Sequence, residues 1–360
     1  MREQDFRKYL RKNPGPEIPE LVSYRHAVVI PACCENDTLP EVLHSLESAV
    51  HTEKTATIVI VNHPASYGKK ESVELLKYLQ KANHPDVFSL YTPDITGGVG
   101  EARKTGMDLF LRSRSWNNLE TSLIFSLDGD SPVAESYFQE TLQTLKAVPS
   151  SPGIIIKIRH STADTPEQEK AIREYERYLF RYAKKLEEAG SPYGFVSIGS
   201  GFAVRTSSYI KAGGMRIRHA GEDFYFLQEL AKQAPLIRTE NPLVFPSPRI
   251  SERVPFGTGR SVKDLLAGGK TNDIPDAAFD YLKEVLSEAR DPNGFLSKAE
   301  ISAIPGDPFN FFSKEKFPTV WRSVFANTPA DHPARLNAFH RWFDGLKTLR
   351  FLHTIQRNGQ

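Results

Sequence analysis

Residues 124–130, Ile-Phe-Ser-Leu-Asp-Gly-Asp, decide the expected fold. The apolar half is typical of a buried strand, which would deliver Asp128 and Asp130 to its carboxyl end, where open α/β sheets place their ligand crevice. Two carboxylates suit Mg²⁺ or Mn²⁺, because these cations prefer oxygen ligands and can share them with a substrate diphosphate. Gly129 lets the backbone approach a ligand without a Cβ clash. An ordinary turn after a strand is the alternative, since Asp, Gly, Ser and Pro all favour turns.

Strands and helices alternate along the first half of the chain. The sequence predicts strands at 26–31, 57–62, 87–92, 122–128 and 153–159. Helices are predicted between them, at 39–50, 70–82, 100–112 and 134–147. This alternation is typical of βαβ units with right-handed crossovers and a mostly parallel sheet. Further on, the sequence predicts a long amphipathic helix, a short strand and a helix, at 167–189, 200–205 and 222–232.

Composition sets outer limits on function. The 360 residues are 39% hydrophobic and 25% charged, as in ordinary globular proteins. The chain has a net charge of +2, whereas nucleic-acid-binding domains usually carry a strong, concentrated positive charge. We expect neither a transmembrane segment nor a secretory leader, because no apolar run approaches about 20 residues and the first residues are charged. Cys33 and Cys34 are adjacent and offer no disulfide framework, which favours a reducing cytoplasm.

Four segments in order carry a resemblance to a known family. They are Val-Val-Ile-Pro-Ala-Cys-Cys-Glu-Asn at 28–36, Gly-Gly-Val-Gly-Glu-Ala-Arg-Lys-Thr-Gly at 97–106, Ser-Leu-Asp-Gly-Asp at 126–130, and Gly-Ser-Gly-Phe-Ala-Val-Arg at 199–205 leading to Ala-Gly-Glu-Asp-Phe at 220–224. The set resembles glycosyltransferase family 2, whose members have the GT-A fold and use nucleotide-sugar donors. The resemblance covers roughly residues 25–250.

The resemblance implies an α/β GT-A fold, with a mostly parallel central sheet flanked by helices and a mainly helical C-terminal extension. We expect an N-terminal arm at 1–24, a catalytic domain at 25–250, and a covering loop with the helical extension at 251–360. It also implies a cytoplasmic, metal-dependent, inverting, hexosyltransferase-like enzyme that moves a sugar from a nucleotide-diphosphate donor to an acceptor hydroxyl. A sugar nucleotidyltransferase and a catalytically silent nucleotide-sugar-binding protein are the alternatives.

The implied donor site uses the ends of the first strands and the Gly-rich segment. Its candidate residues are Pro31, Ala32, Glu35, Asn62, Gly100, Arg103, Lys104, Asp128, Gly129 and Asp130. Asp128 and Asp130 are the implied ligands of Mn²⁺ or Mg²⁺. The family often has Asp-Asp-Gly-Ser after its second strand, where this chain has Asn-His-Pro-Ala-Ser at 62–66, so the base stays open. The Gly-rich segment opens a helix that could face an anion, or it is simply a loop with a helix cap.

The Glu222-Asp223 pair resembles the family's Glu-Asp pair, which implies that Asp223 is the general base and that Glu222 accompanies it. Acidic residues at a helix start are also favoured by the macrodipole alone. Candidate contacts to acceptor or phosphate are Gly201, His219, Arg253 and Arg260. A Pro- and Gly-rich stretch contains Arg249, Arg253 and Arg260. This stretch could close over a diphosphate or be a solvated linker.

Near the C-terminus, apolar residues recur at helical spacing. They are Phe339, Trp342, Phe343, Leu346, Leu349 and Leu352. Packing against the catalytic domain is the first interpretation of this stripe. A dimer face or a peripheral membrane contact is the alternative, because basic residues flank it.

Overall fold

The structure, a computed structural model, describes residues 1–218, 220–250 and 257–359. The chain divides into two units. The first comprises Met1–Arg173 and Ser197–Gly269, and the second comprises Glu174–Val196 and Lys270–Gln360. The sheet and every described candidate site residue belong to the first unit.

A seven-stranded sheet forms the centre of the first unit. Its strands are β1 (His26–Ala32), β2 (Thr55–Asn62), β3 (Val87–Thr92), β4 (Leu123–Ser126), β5 (Gly153–Ile155), β6 (Phe202–Arg205) and β7 (Ile237–Arg238). Their order in the sheet is β3-β2-β1-β4-β6-β5-β7. All neighbouring strands are parallel except β6, which runs antiparallel to β4 and β5. The predicted α/β class with a mostly parallel sheet is therefore confirmed.

Helices alternate with these strands along the chain, and six of them follow the predicted segments at 39–50, 70–82, 100–112, 134–147, 167–189 and 222–232. In the order of the chain they are α1 (Glu3–Lys12), α2 (Leu39–Ser48), α3 (Lys69–Ala82), α4 (Gly98–Arg112), α5 (Tyr137–Ala147), α6 (Pro166–Glu188), α7 (Thr206–Lys211), α8 (Glu222–Ala231) and α9 (Thr258–Leu266). All residues of β1 and β2 are buried, as expected for central parallel strands covered on both faces.

The sheet opens beside β1, and this opening defines the ligand crevice. The ladder from β1 to β2 continues to Ala32, whereas the ladder from β1 to β4 ends where Val29 pairs with Ser126. From β1 the chain continues to β2 and then β3 on one side of the sheet. The next strand, β4, lies on the other side of β1. Such a switch point, at the carboxyl ends of parallel strands, is where open α/β sheets bind ligands.

Residues 1–24, predicted as an arm, begin with the helix α1. The hydroxyl of Tyr9 in α1 donates a 2.8 Å hydrogen bond to Oδ1 of Asp108 in α4. Nζ of Lys104 lies 2.6 Å from Oδ2 of the same carboxylate and 2.8 Å from Oδ1 of Asn13. Lys104, a predicted donor-binding residue, therefore contacts α1 and the buried Asp108.

The second unit is helical, as the predicted C-terminal extension requires. After the end of α6 it contains α10 (Asp276–Arg290), α11 (Phe311–Lys314), α12 (Phe317–Asn327), α13 (His332–Trp342) and α14 (Gly345–Asn358). Phe339, Phe343 and Leu352 of the apolar stripe are fully buried in an aromatic core within this unit, and Trp342 packs against that core. None of the described helices is both long and apolar enough to cross a membrane.

Helix α4, which carries several candidate site residues, lies unusually close to the sheet at Gly106. A Cβ at this position would be 2.5 Å from Cγ1 of Val29 and 3.1 Å from Cγ1 of Ile60. Both neighbours are fully buried in the central strands. Their side chains cannot move aside cheaply, because β-branched side chains are stiff and the interior is closely packed.

We expect Gly106→Ala to lower the free energy of unfolding by about 1–3 kcal/mol, the usual cost of overpacking. In an open helix position, alanine is more favourable than glycine by about 1 kcal/mol. A decrease in the free energy of unfolding therefore indicates overpacking, whereas an increase indicates helix propensity alone. Denaturant unfolding measures the change. The control is Lys77→Ala at an exposed position of α3, with an effect within about 0.5 kcal/mol. A Gly106→Ala variant as stable as the wild type would contradict this close packing.

Candidate active site

The loops after β1 and β4 meet across the crevice. Glu35 follows β1, and Asp128 to Asp130 follow β4. A Cβ on Gly129 would be 2.9 Å from Cγ of Glu35, so the absence of a side chain at Gly129 allows the two loops to approach. This contact brings three predicted donor-site carboxylates to the same edge of the sheet.

A buried guanidinium organises the other side of the crevice. Arg103 of α4 is 3% exposed, and its Nη2 donates to Oδ1 of Asp128 at 2.5 Å. Its Nε donates to Oε1 of Glu222 at 3.0 Å, and its Nη1 donates to Oγ of Ser126 and to the carbonyl oxygen of Gly199. Burial opposes the positive charge, but the two carboxylates outweigh it and raise the pKa of Arg103. Arg103, expected to face the nucleotide, therefore connects the end of β4 to the start of α8.

Glu222 and Asp223 occupy the first turn of α8, and their surroundings differ. Glu222 is 4% exposed and its carboxylate pairs with Arg103. Asp223 is half-buried, and Oδ1 accepts a 2.7 Å hydrogen bond from the backbone N–H of Phe224. Burial raises the pKa of Asp223 to about 7, and the negative charge of Glu222 adds to the rise while Arg103 opposes it. Near neutral pH, Asp223 can therefore both accept and release a proton.

Gly100 sets the distance between α4 and α8. A Cβ there would be 2.7 Å from the backbone oxygen of Arg218 and 3.1 Å from Cβ of Glu222. The glycine thus permits the close approach that brings Glu222 to Arg103. Gly199 has a similar role, because a Cβ there would be 2.2 Å from Nη2 of Arg103. Gly199 was not predicted as a site residue, although it opens the fourth motif.

The N-terminus of α4 is capped from within the chain. The backbone N–H groups of Thr96 and Gly97 donate to Oε2 of Glu101 at 3.1 and 2.7 Å. Both N–H groups belong to residues that precede Gly98, the first residue of α4. These bonds match the interpretation of the Gly-rich segment as a loop with a helix cap.

Several other predicted residues make contacts inside the fold. Nδ2 of Asn62 donates to the carbonyl oxygen of Ile60 in the same strand, and Asn62 is 3% exposed. Pro31 and Ala32 lie at the end of β1, in register with residues of β2. Gly201 packs beside the strand β5, where a Cβ would be 3.1 Å from the backbone oxygen of Ile156.

Arg260, the remaining described candidate, makes its described ion pair away from the cluster at the crevice. Nε of Arg260 pairs with Oδ2 of Asp264 at 3.1 Å on the exposed surface of α9. His219 and Arg253 lie outside the described residues.

One arginine that the sequence did not single out joins the donor-side carboxylates. Nη2 of Arg249 lies 2.8 Å from Oδ2 of Asp130 and 2.7 Å from both carboxylate oxygens of Glu35. Arg249 is one of several arginines in the Pro-rich stretch at 247–260. The composition of this stretch does not distinguish one arginine from another. Glu35, predicted as a donor-binding residue, pairs with Arg249 and accepts a hydrogen bond from Oγ1 of Thr38.

The two aspartates fit a divalent cation that brings part of its own ligand shell. Their side chains are 32% and 18% exposed, for Asp128 and Asp130 respectively, so ligands can reach both carboxylates. Within the described ranges, no group of three or more His, Cys, Asp or Glu side chains is placed to enclose a metal ion. Mg²⁺ is commonly held by one or two carboxylates, with water and substrate phosphate completing its shell.

Comparisons with known proteins gave structural similarities only. No protein-family profile and no curated protein sequence matches this chain. Among solved structures, it is similar to TarS 1–349 from S. aureus in complex with UDP-GlcNAc, with 15% identity, coverage of 93% of this chain and 92% of that chain, and a TM-score of 0.48. The mannosyltransferase PcManGT from Pyrobaculum calidifontis, in complex with GDP-Man and Mn²⁺, is 14% identical, with coverage of 98% and 85% and a TM-score of 0.45.

Glucosyl-3-phosphoglycerate synthase from Mycobacterium tuberculosis, in complex with UDP, is 12% identical to this chain. The similarity covers 73% of this chain and 88% of that one, with a TM-score of 0.37. Each of these three structures contains a nucleotide or a nucleotide sugar.

Proposed function

We propose that this chain is a metal-dependent glycosyltransferase of family 2 with the GT-A fold, which moves a sugar from a nucleotide-diphosphate donor to an acceptor hydroxyl with inversion. One observation carries the proposal. The Arg103 guanidinium joins Asp128, in the candidate cation site, to Glu222, the neighbour of the candidate base. The two halves of a glycosyl-transfer site, one for the leaving diphosphate and one for the attacking hydroxyl, would thus share one charged cluster.

The donor half of the proposed site is the crevice between β1 and β4. Asp128 and Asp130 would hold Mn²⁺ or Mg²⁺ there together with the donor diphosphate. The cation, when bound, supplies Lewis-acid stabilisation to the departing diphosphate. Gly129 adds no side chain and so lets Glu35 approach the loop that carries both aspartates.

The acceptor half depends on Asp223. Its carboxylate would take the proton of the acceptor hydroxyl as that oxygen attacks the anomeric carbon, and the bond to the diphosphate breaks on the opposite face. A general base works best with a pKa close to the operating pH, and the raised pKa of Asp223 meets this requirement. Glu222 would act through Arg103 and Asp223, because its buried carboxylate pairs with Arg103.

We predict that Asp130→Asn weakens Mn²⁺-dependent binding of UDP or GDP by at least about tenfold, because it removes one charged ligand of the cation. Isothermal titration calorimetry with and without Mn²⁺ measures the change. The matched control is Asp264→Asn, an exposed carboxylate on α9, with affinity unchanged. Equal Mn²⁺-dependent affinities for Asp130→Asn and wild type would remove the proposed cation site.

Asp223→Asn should reduce the release of nucleoside diphosphate from UDP- or GDP-sugars by about 10²–10⁴-fold while leaving donor affinity unchanged. The substitution keeps the size of the side chain but removes the proton acceptor. The wild-type rate should rise with pH to a plateau above about 7, where Asp223 is ionised. A near-normal rate in the variant, or a product that keeps the anomeric configuration of the donor, would rule out this base. Donor binding without turnover in the wild type would favour a catalytically silent binding protein.

The same substitution should stabilise the fold at alkaline pH. The folded chain binds the Asp223 proton more tightly than the unfolded chain does, whose pKa is about 4. The stability contributed by this group therefore falls as the pH rises from about 4 to about 7. We expect Asp223→Asn to melt at a higher temperature than wild type at pH 8, with the difference shrinking toward pH 5. The control Asp164→Asn, at an exposed position, should show no such trend. A variant less stable than wild type at pH 8 would contradict the raised pKa.

A further inference from the structure

Arg249 is fixed in front of the donor-side carboxylates by the backbone around it. The backbone N–H of Ser247 donates to the carbonyl oxygen of Asp130 at 3.0 Å, and the N–H of Phe245 donates to that of Pro132 at 2.8 Å. The N–H of Arg249 itself donates to Oγ of Ser247 at 3.3 Å. The segment before Arg249 therefore runs along the segment that begins at Asp130, and it aims the guanidinium at this aspartate.

Only one nitrogen of the Arg249 guanidinium makes the contacts described above. Nη2 faces Glu35 and Asp130. Within the described residues, the buried Nε has no hydrogen-bond partner and Nη1 makes no hydrogen bond. A guanidinium has five N–H donors in a planar fork suited to phosphate oxygens. The side chain is 30% exposed, so a bound diphosphate can reach it.

The Glu35 and Asp130 carboxylates, which both pair with the guanidinium, differ in their exposure to solvent. The Glu35 side chain is 7% exposed, and a buried carboxylate needs its counter-charge at all times. The Asp130 side chain is 18% exposed and is also a proposed cation ligand. Arg249 and a divalent cation thus compete for Asp130, whereas Glu35 can keep Arg249 beside the site when Asp130 turns to the cation.

We propose that Arg249 binds the donor diphosphate and that Asp130 exchanges Arg249 for the divalent cation when the donor binds, with Glu35 retaining the guanidinium. This inference rests on the proposed function. It assigns opposite effects to one side chain, because Arg249 opposes binding of the cation alone and favours binding of the nucleotide diphosphate.

The test measures two affinities of Arg249→Met, a variant that keeps most of the side-chain length and removes the charge. Mn²⁺ alone, followed by the electron paramagnetic resonance signal of the unbound ion, should bind at least about threefold more tightly than to wild type, because one positive charge that competes for Asp130 is removed. UDP and GDP at saturating Mn²⁺, measured by calorimetry, should bind at least about tenfold more weakly, because a charge-assisted phosphate contact is lost.

Two further variants separate this role from a structural one. Arg249→Lys keeps the charge beside Glu35, so Mn²⁺ affinity should stay near wild type and the loss for UDP and GDP should be smaller. Arg322→Met removes an exposed arginine of α12 that pairs with Glu300, and both affinities should be unchanged. Melting curves at matched pH show whether each variant is folded.

The outcomes distinguish the inference from the proposed function. If Arg249→Met weakens both Mn²⁺ and nucleotide, or changes neither, the exchange at Asp130 is wrong while the proposed function stands. If the wild-type protein binds neither Mn²⁺ nor UDP or GDP with Mn²⁺, the proposed function fails, and the inference is overturned with it. Tighter Mn²⁺ with weaker nucleotide, in Arg249→Met alone, is the result that the inference requires.

Discussion

The charge of one buried arginine is the constraint on which this active-site geometry depends. Arg103 sits among apolar strands and helices with almost no access to water, and an unpaired charge in such a place is prohibitively costly. The chain meets this requirement with Asp128 from one side of the crevice and Glu222 from the other. Those two carboxylates fix the end of β4 and the start of α8, so the positions of the neighbouring Asp130 and Asp223 follow from the neutralisation of Arg103.

Two guanidiniums divide the carboxylates of the crevice between them. Arg103 is deeply buried and has four described hydrogen bonds, which suits a permanent structural charge. Arg249 is partly exposed and shares one nitrogen between Glu35 and Asp130, which suits a charge that changes partners. Removing water from a pair strengthens it and makes its loss expensive, whereas an exposed pair is worth little. The difference in burial therefore matches a structural role for Arg103 and the ligand-binding role proposed for Arg249.

The sequence predicted what depends on local pattern and missed what depends on distant partners. The strands β1 to β3 and helices α2 to α4 were predicted within a few residues, because their apolar periodicity is local. The antiparallel direction of β6 was not predicted, since no local pattern specifies orientation. Arg103 was expected at the nucleotide because it follows a Gly-rich turn, but its partners lie 23 to 119 residues away. Arg249 was not chosen among its neighbours, because only the fold brings it to Glu35, 214 residues away.

The distant partners of Arg103 also bear on the order in which the first unit folds. Its contacts to Asp128, Gly199 and Glu222 close chain segments of 25, 96 and 119 residues. A collapsed intermediate that buried α4 before Glu222 arrived would pair Arg103 with Asp128 but leave the buried Nε donor without its acceptor, so such states are penalised. Long-range contacts are slow to form, because the entropy of loop closure is lost before the contact stabilises the chain. A chain that lacks α8 therefore keeps Asp128 beside Arg103 but has no acceptor for Nε, and α4 then packs on the sheet less stably than in the complete first unit.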